Sequence, residues 1–330
     1  MKKVLLSVLL ATMPFVLAPA SRPACAQARE PYGIGLEGFA YPYPVQMLPL
    51  VSDGEPVRMA YMDVPAATPN GHTILLLHGR NFPSSYWAPV IRTLNEAGYR
   101  VVVPDQVGFG KSSKPQADLH FDTLARNTMT LMDHLQIAKF DIVAHSLGGM
   151  LGVRITRAFP DRIGRLLLAA PIGLEDYRLY EPPTPTEKIL ENEDKLTADG
   201  YRQQLVTNYS IKLPPEQITP FIDARFNIKG SSEYPRWLRA FANSAQLIYR
   251  EPVVHEIPLI TQPTLFVMGG DDHNAPEALR PQMGQNAELA KALAAKMPNA
   301  KAEVIPGVGH LVFLESPQKF NALMLAFLAN

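Results

Sequence analysis

The chain has 330 residues, 47 % of them hydrophobic and 19 % charged, a globular composition that can bury one sizeable core. Lys plus Arg and Asp plus Glu balance at 31 each, so no net field recommends a nucleic acid or an anionic membrane as partner. The single cysteine, Cys25, excludes a framework of internal disulfides.

The N-terminus opens with Lys2 and Lys3, continues with an apolar run from Val4 to about Leu17, and reaches the small-residue triplet Ala26-Gln27-Ala28. This pattern predicts a secretory signal peptide over 1–28, cut after Ala28, and export to the periplasm or beyond. Pro14 interrupts the run, which is short for a bilayer core of about 30 Å, so no stable membrane insertion is expected after cleavage. Cys25 leaves with the leader, and the mature chain then holds no thiolate nucleophile and no thiolate metal site.

Next come two β-type segments, 39–51 and 55–64, joined by the turn Ser52-Asp53-Gly54, which predict an antiparallel hairpin. Short apolar runs follow at 72–79, 99–105, 140–146, 165–171, 263–270 and 301–307. Runs of this kind fit strands buried on both faces, as in a parallel sheet. Helix-like stretches lie between them at 84–98, 121–136 and 147–160, and one more follows the last strand at 316–330. Strand alternating with helix predicts a doubly wound, mostly parallel α/β sheet. The rhythm breaks over 172–258, which reads as helices and polar connections. We therefore expect a core of 29–171 and 259–330, with a helical cap inserted before the penultimate core strand. Such a cap lies over the carboxyl ends of the strands, where open α/β sheets bind ligands.

The stretch "FDIVAHSLGGMLG" (140–152) carries a serine directly after a buried strand and directly before a helix. A chain that reverses there forces the turn residue into a strained conformation, and small residues two before and two after relieve the crowding. Here these are Ala144 and Gly148, a small-x-Ser-x-small form of the nucleophile elbow around Ser146. A nucleophilic serine needs a base for its proton and a third group to hold that base. "FVMGGDDHNAP" follows the fifth buried run and "VIPGVGHLVFLESP" the sixth, which supplies an acid and then a histidine in the order Ser, Asp, His. Of the eight histidines only His310 follows the last strand, in a glycine-rich loop, and it is the candidate base. His145 is expected to point away from the serine, and His78 to brace its own loop.

The pieces "LLLHGRNFPSSYW", "VPDQVGFGKSSKP", "AHSLGGM", "MGGDDHNAP" and "GVGHLVFLESP" occur in the order and at the spacing of the α/β-hydrolase family, which the chain resembles from about Leu36 to Asn330 apart from the cap. The family's acid motif, G-x-x-D-x-x-x-P, aligns Gly269, Asp272 and Pro276 and so selects Asp272 over Asp271. A rarer variant places the acid before the cap, where Glu175 and Asp176 stand. The resemblance implies oxyanion donors at the backbone N–H groups of Leu147 and Arg80, with the Arg80 side chain either reaching the pocket or turned out to solvent. A small-molecule substrate is expected and no cofactor, and "DDHN" is too short and isolated a cluster for a metal-dependent hydrolase; in the cap, Tyr177, Tyr180 and Trp237, beside Tyr209 and Phe241, are candidate substrate contacts or else the cap's own core. Serine at position 146 excludes the aspartate-nucleophile branches of the family. The loop "HGRNFPSS" lacks the glycine-proline-rich sequence typical of the carbon–carbon hydrolases. The expected activity is therefore hydrolysis of a carboxylic ester or lactone through an acyl-enzyme. Carbon–carbon or amide hydrolysis and haloperoxidase-like perhydrolysis on the same triad are the alternatives, and a non-catalytic binding protein that keeps the fold is an alternative of another class.

Overall fold

The computed structural model describes residues 31–273 and 285–329. The expected leader with Cys25, and Pro276 of the acid motif, lie outside the described residues.

Strands β1 (Val45–Ser52) and β2 (Glu55–Val64) pair antiparallel in the register Ser52↔Glu55. Asp53 and Gly54 both take positive φ, 48° and 83°, the twist that a tight two-residue hairpin demands. The six apolar runs form β3 (Thr73–Leu77), β4 (Arg100–Pro104), β5 (Phe140–His145), β6 (Ile163–Ala169), β7 (Thr264–Gly269) and β8 (Ala300–Ile305). The eight strands lie in the order β1-β2-β4-β3-β5-β6-β7-β8, and every pairing from β4 to β8 is parallel. β4 lies on one side of β3 and β5 on the other, so the crossovers change direction at β3. A crevice opens at the carboxyl ends of strands where the winding reverses in this way.

Period-two alternation divides the core between the two faces of the sheet. Leu75, Leu77, Ile142 and Ala144 face helices α2 (Phe121–His134) and α3 (Leu147–Ala158), whereas Ile74, Leu76 and Val143 belong to the cluster that includes α1 (Ala88–Glu96). The helix expected over 84–98 begins instead as a 3₁₀ turn, Ser84–Trp87. Pro89 has no N–H to bond backward, so a regular helix can only start around it.

Between β6 and β7 the described residues form four helices and no strand: α4 (Thr186–Lys195), α5 (Ala198–Thr207), α6 (Pro215–Asn227) and α7 (Tyr234–Arg250). α4 pairs with α7 and α5 with α6. The chain then returns through α8 (Asn286–Ala294) on the α3 face and, after β8, through the short α9 (Val312–Glu315) and α10 (Pro317–Ala329) on the α1 face. Among the described residues no helix is long and apolar enough to cross a membrane.

The loop after β8 is held from both sides. Phe313 stacks on Trp87 with ring centroids 4.2 Å apart at 23°, and both rings are completely buried. Replacing Phe313 by alanine removes this stack and its contact with the His145 ring. We expect a loss of about 3–5 kcal/mol, read as a lower urea midpoint at unchanged slope.

Candidate active site

Ser146 sits between β5 and α3 at φ 56° and ψ −122°, a region that costs a residue with a side chain about 1–3 kcal/mol. The turn is tight enough to place position 148 against the next strand: a Cβ on Gly148 would stand 2.4 Å from the Leu77 carbonyl oxygen. Only glycine fits there, as the small-x-Ser-x-small spacing requires. The carbonyl of Ser146 accepts the N–H groups of Gly149 at 2.8 Å and Ile172 at 3.3 Å. Because a trans peptide points its N–H opposite to its C=O, the Leu147 N–H is turned away from both partners. It also heads α3, where the helix end is electropositive.

Asp272 follows β7 and His310 follows β8, and the structure brings them together: His310 Nδ1 donates to Asp272 Oδ2 at 2.9 Å. Both residues are 2 % exposed and Ser146 is 6 % exposed. A carboxylate only accepts, so the ring proton is fixed on Nδ1 and Nε2 keeps its lone pair. The neighbouring acids are engaged elsewhere. Asp271 is exposed and paired with Lys212. Asp176 bonds Arg178 at 2.6 and 2.8 Å, and these bonds bring its carboxyl down to about 2. Glu175 accepts the Tyr180 hydroxyl at 2.8 Å.

A chain of buried hydrogen bonds fixes the loops around the serine. The Gly79 N–H donates to the Tyr86 hydroxyl oxygen at 2.8 Å, the Tyr86 O–H donates to His145 Nδ1 at 2.9 Å, and His145 Nε2–H donates to the His310 carbonyl at 3.0 Å. Each donor is assigned by the one before it, because the tyrosine oxygen already accepts. Burial, with the rings of His310 and His78 adding to it, pushes His145 well below the usual imidazole range and keeps it neutral. His78 acts in parallel. Its Nε2 accepts the Gln106 N–H at 2.9 Å, so Nδ1–H donates to the Gly79 carbonyl at 2.7 Å. With that carbonyl held, the N–H on the other side of the same peptide, that of Arg80, must point the opposite way. Among the described residues neither the Arg80 N–H nor the Leu147 N–H has an acceptor.

The Arg80 side chain is not turned out to solvent. Nε donates to Ser244 Oγ at 2.8 Å, and Nη2 to Glu193 Oε1 at 3.0 Å and to the Phe241 carbonyl at 3.2 Å, so β3 is tied to α4 and α7. The helical insertion also reaches the His310 loop: the Tyr209 carbonyl accepts the His310 N–H at 3.0 Å, and a Cβ on Gly309 would overlap the Ser210 carbonyl at 1.9 Å. Of the aromatic residues expected to contact substrate, Trp237 lines a cavity beside Arg80 and stacks on Phe241 with centroids 5.0 Å apart. Tyr177 is committed inward, where its hydroxyl accepts the Gly173 N–H at 3.0 Å. Tyr180 is committed to Glu175.

Sequence reasoning missed Tyr86 and Glu315, whose carboxylate accepts the N–H groups of Gly309 at 2.9 Å and Leu311 at 3.0 Å and so closes the loop around His310. An acid five residues beyond a glycine-flanked histidine is the signal that could have found Glu315. Tyr86 carried none, since an aromatic residue at a helix start reads as core. Among the described residues no group of three or more His, Cys, Asp and Glu side chains is placed to hold a metal.

Tyr86→Phe keeps the ring but leaves the Gly79 N–H and His145 Nδ1 without partners, an expected loss of about 2–4 kcal/mol in urea unfolding. A second expectation concerns pH. Burial lowers the pKa of both His145 and His78, so below about 6.5 the unfolded chain takes up protons that the fold excludes. Stability is full above that pH and falls beneath it, by up to about 1.4 kcal/mol per pH unit for each ring, which urea midpoints between pH 7 and 5 measure.

Comparison with known proteins agrees with this architecture. The sequence profile of the alpha/beta hydrolase family matches residues 74–323. A curated relative from Burkholderia cepacia, 2-hydroxy-6-oxo-6-phenylhexa-2,4-dienoate hydrolase, is 29 % identical over 79 % of this chain and 88 % of its own. The crystal structure of a protein from Pseudomonas aeruginosa PAO1, described as a probable hydrolytic enzyme, superposes with a TM-score of 0.85 at 36 % identity, covering 91 % of this chain and 99 % of that one. The enol-lactonase of Burkholderia xenovorans LB400 shares the fold at a TM-score of 0.67 and 20 % identity, over 86 % of this chain and all of its own. With a profile match over most of its length and the strand-turn-helix serine in place, the chain belongs to the alpha/beta hydrolase family.

Proposed function

We propose that this hydrolase cleaves a small-molecule carboxylic ester or lactone through an acyl-enzyme. Ser146 Oγ attacks the carbonyl while His310 Nε2 takes its proton, and Asp272 holds the imidazole and stabilises the imidazolium that forms. The oxyanion settles between the N–H groups of Leu147 and Arg80, each worth about 3 kcal/mol in such a site. His310 then protonates the leaving alkoxide, and a water that it deprotonates releases the acid.

The observation that carries the reading is the buried bond of 2.9 Å between His310 and Asp272, which follow two successive strands, at the sheet end where Ser146 is held in a strained turn. Two backbone N–H groups without described acceptors flank that turn. A second reading, hydrolysis of a carbon–carbon bond, has one specific observation in its favour: the dienoate hydrolase of Burkholderia cepacia aligns over 269 residues. Against it stands the loop His78-Gly79-Arg80-Asn81-Phe82-Pro83, in which an arginine engaged with the insertion follows the glycine.

The test is a profile of the purified protein across 4-nitrophenyl esters of graded length, lactones and a hydroxy-oxo-dienoate. Ester or lactone turnover is expected, together with stoichiometric labelling of Ser146 by a serine-directed phosphonate. Ser146→Ala should lower kcat by about 10⁴-fold or more. Turnover that survives in this variant sinks the proposal, and turnover of the dienoate alone selects the second reading.

A further inference from the structure

Beside the Arg80 loop lies a small cavity of about 40 Å³ that opens to solvent, and among the described residues its charged wall residues are Arg80 and Arg225. The two arginines share one carboxylate. Glu193 Oε1 accepts from Arg80 Nη2 at 3.0 Å and Oε2 accepts from Arg225, while Glu193 itself is not part of the wall. The three side chains are 15, 7 and 16 % exposed for Arg80, Arg225 and Glu193. Burial pushes the Glu193 carboxyl up, but the two guanidiniums outweigh it and hold the group below its usual value and ionised. Arginine does not give up its proton inside a protein, so this cluster keeps one positive charge in excess.

The surroundings soften that charge without neutralising it. The Phe241 ring lies under both guanidiniums, with centroid distances of 3.8 Å to Arg80 Cζ and 4.3 Å to Arg225 Cζ. Among the described residues Arg80 Nη1 has no acceptor. Two largely buried guanidiniums over one carboxylate leave an excess charge that is costly away from solvent, and an anion repays it.

The geometry points to a carboxylate-binding subsite: the substrate carries a carboxylate that accepts from Arg80 Nη1 and from the guanidinium of Arg225, with its apolar part against Phe221, Trp237 and Phe241. A guanidinium N–H makes a charge-assisted bond to a carboxylate oxygen, and a single excess charge matches a monoanionic group better than a phosphate dianion. This deepens the preceding proposal and rests on it, since the backbone N–H of the same Arg80 is the proposed oxyanion donor. Carboxylate and reacting carbonyl are then only one arginine side chain apart, which selects a compact ester or lactone acid.

The experiment compares the mono-4-nitrophenyl ester of adipic acid with 4-nitrophenyl hexanoate, which differ by the terminal carboxylate. The wild-type protein should favour the charged ester in kcat/KM by about tenfold or more, and Arg225→Met should cut the ratio of the two by about ten- to a hundredfold. Arg225→Met leaves one arginine for one glutamate, so the variant should fold, and Arg225→Lys should restore part of the ratio. Independently of turnover, adipate should raise the unfolding midpoint of the wild type, less so that of Arg225→Met, while phosphate at equal ionic strength should not. A ratio at or below one in the wild type, with no adipate shift, overturns the subsite. If Ser146→Ala keeps its turnover, the ester proposal falls, and the adipate shift still decides the subsite.

Discussion

The backbone of Ser146, held at φ 56° and ψ −122°, is the constraint on which the rest of the site depends. A free chain leaves such a conformation, so something must hold it from every side. β5 supplies one restraint, because it lies inside the sheet between β3 and β6 and every residue in it is buried. α3 supplies the other, through the closeness of Gly148 to the carbonyls of Leu77 and His78. The strain is thus maintained by strand pairing on one side and helix docking on the other. That is why the hydroxyl appears at the middle of the sheet and not in a mobile loop.

Three strand ends must also agree in position, and no covalent link among the described residues makes them do so. Tyr86 and His145 join the end of β3 to the loop after β8, Glu315 closes that loop on itself, and His78 orients the peptide that precedes Arg80. These contacts are buried and neutral apart from Glu315, so each donor has one acceptor and the arrangement has little freedom to rotate. The two imidazoles serve as hydrogen-bonding spacers. Their burial lowers the pKa of both and keeps them neutral at neutral pH.

Much of this was legible in the sequence because it follows a period or an order. Runs such as Thr73–Leu77 and Phe140–His145 fit strands covered on both faces, and Ser146, Asp272 and His310 follow the ends of β5, β7 and β8. The Asp53-Gly54 turn was legible because it needs positive φ twice. Arg80 and Glu193 were not, since 113 residues separate them and they meet only through the packing of the insertion, which obeys no sequence period. The break at Pro89 was readable in principle, but helix periodicity ran through it. Tyr177 and Tyr180 show the converse: aromatic residues that their place in the insertion made candidate substrate contacts spend their hydroxyls on the protein itself.

Arg80 belongs to two parts of the molecule at once, by its main chain to the end of β3 and by its side chain to α4 and α7. The insertion therefore cannot swing outward as an independent flap. Any displacement of α4 or α7 large enough to widen the mouth of the cavity pulls on the guanidinium and, through it, on the peptide that His78 holds in orientation. The seat of the insertion and the orientation of the peptide before Arg80 thus depend on one and the same residue.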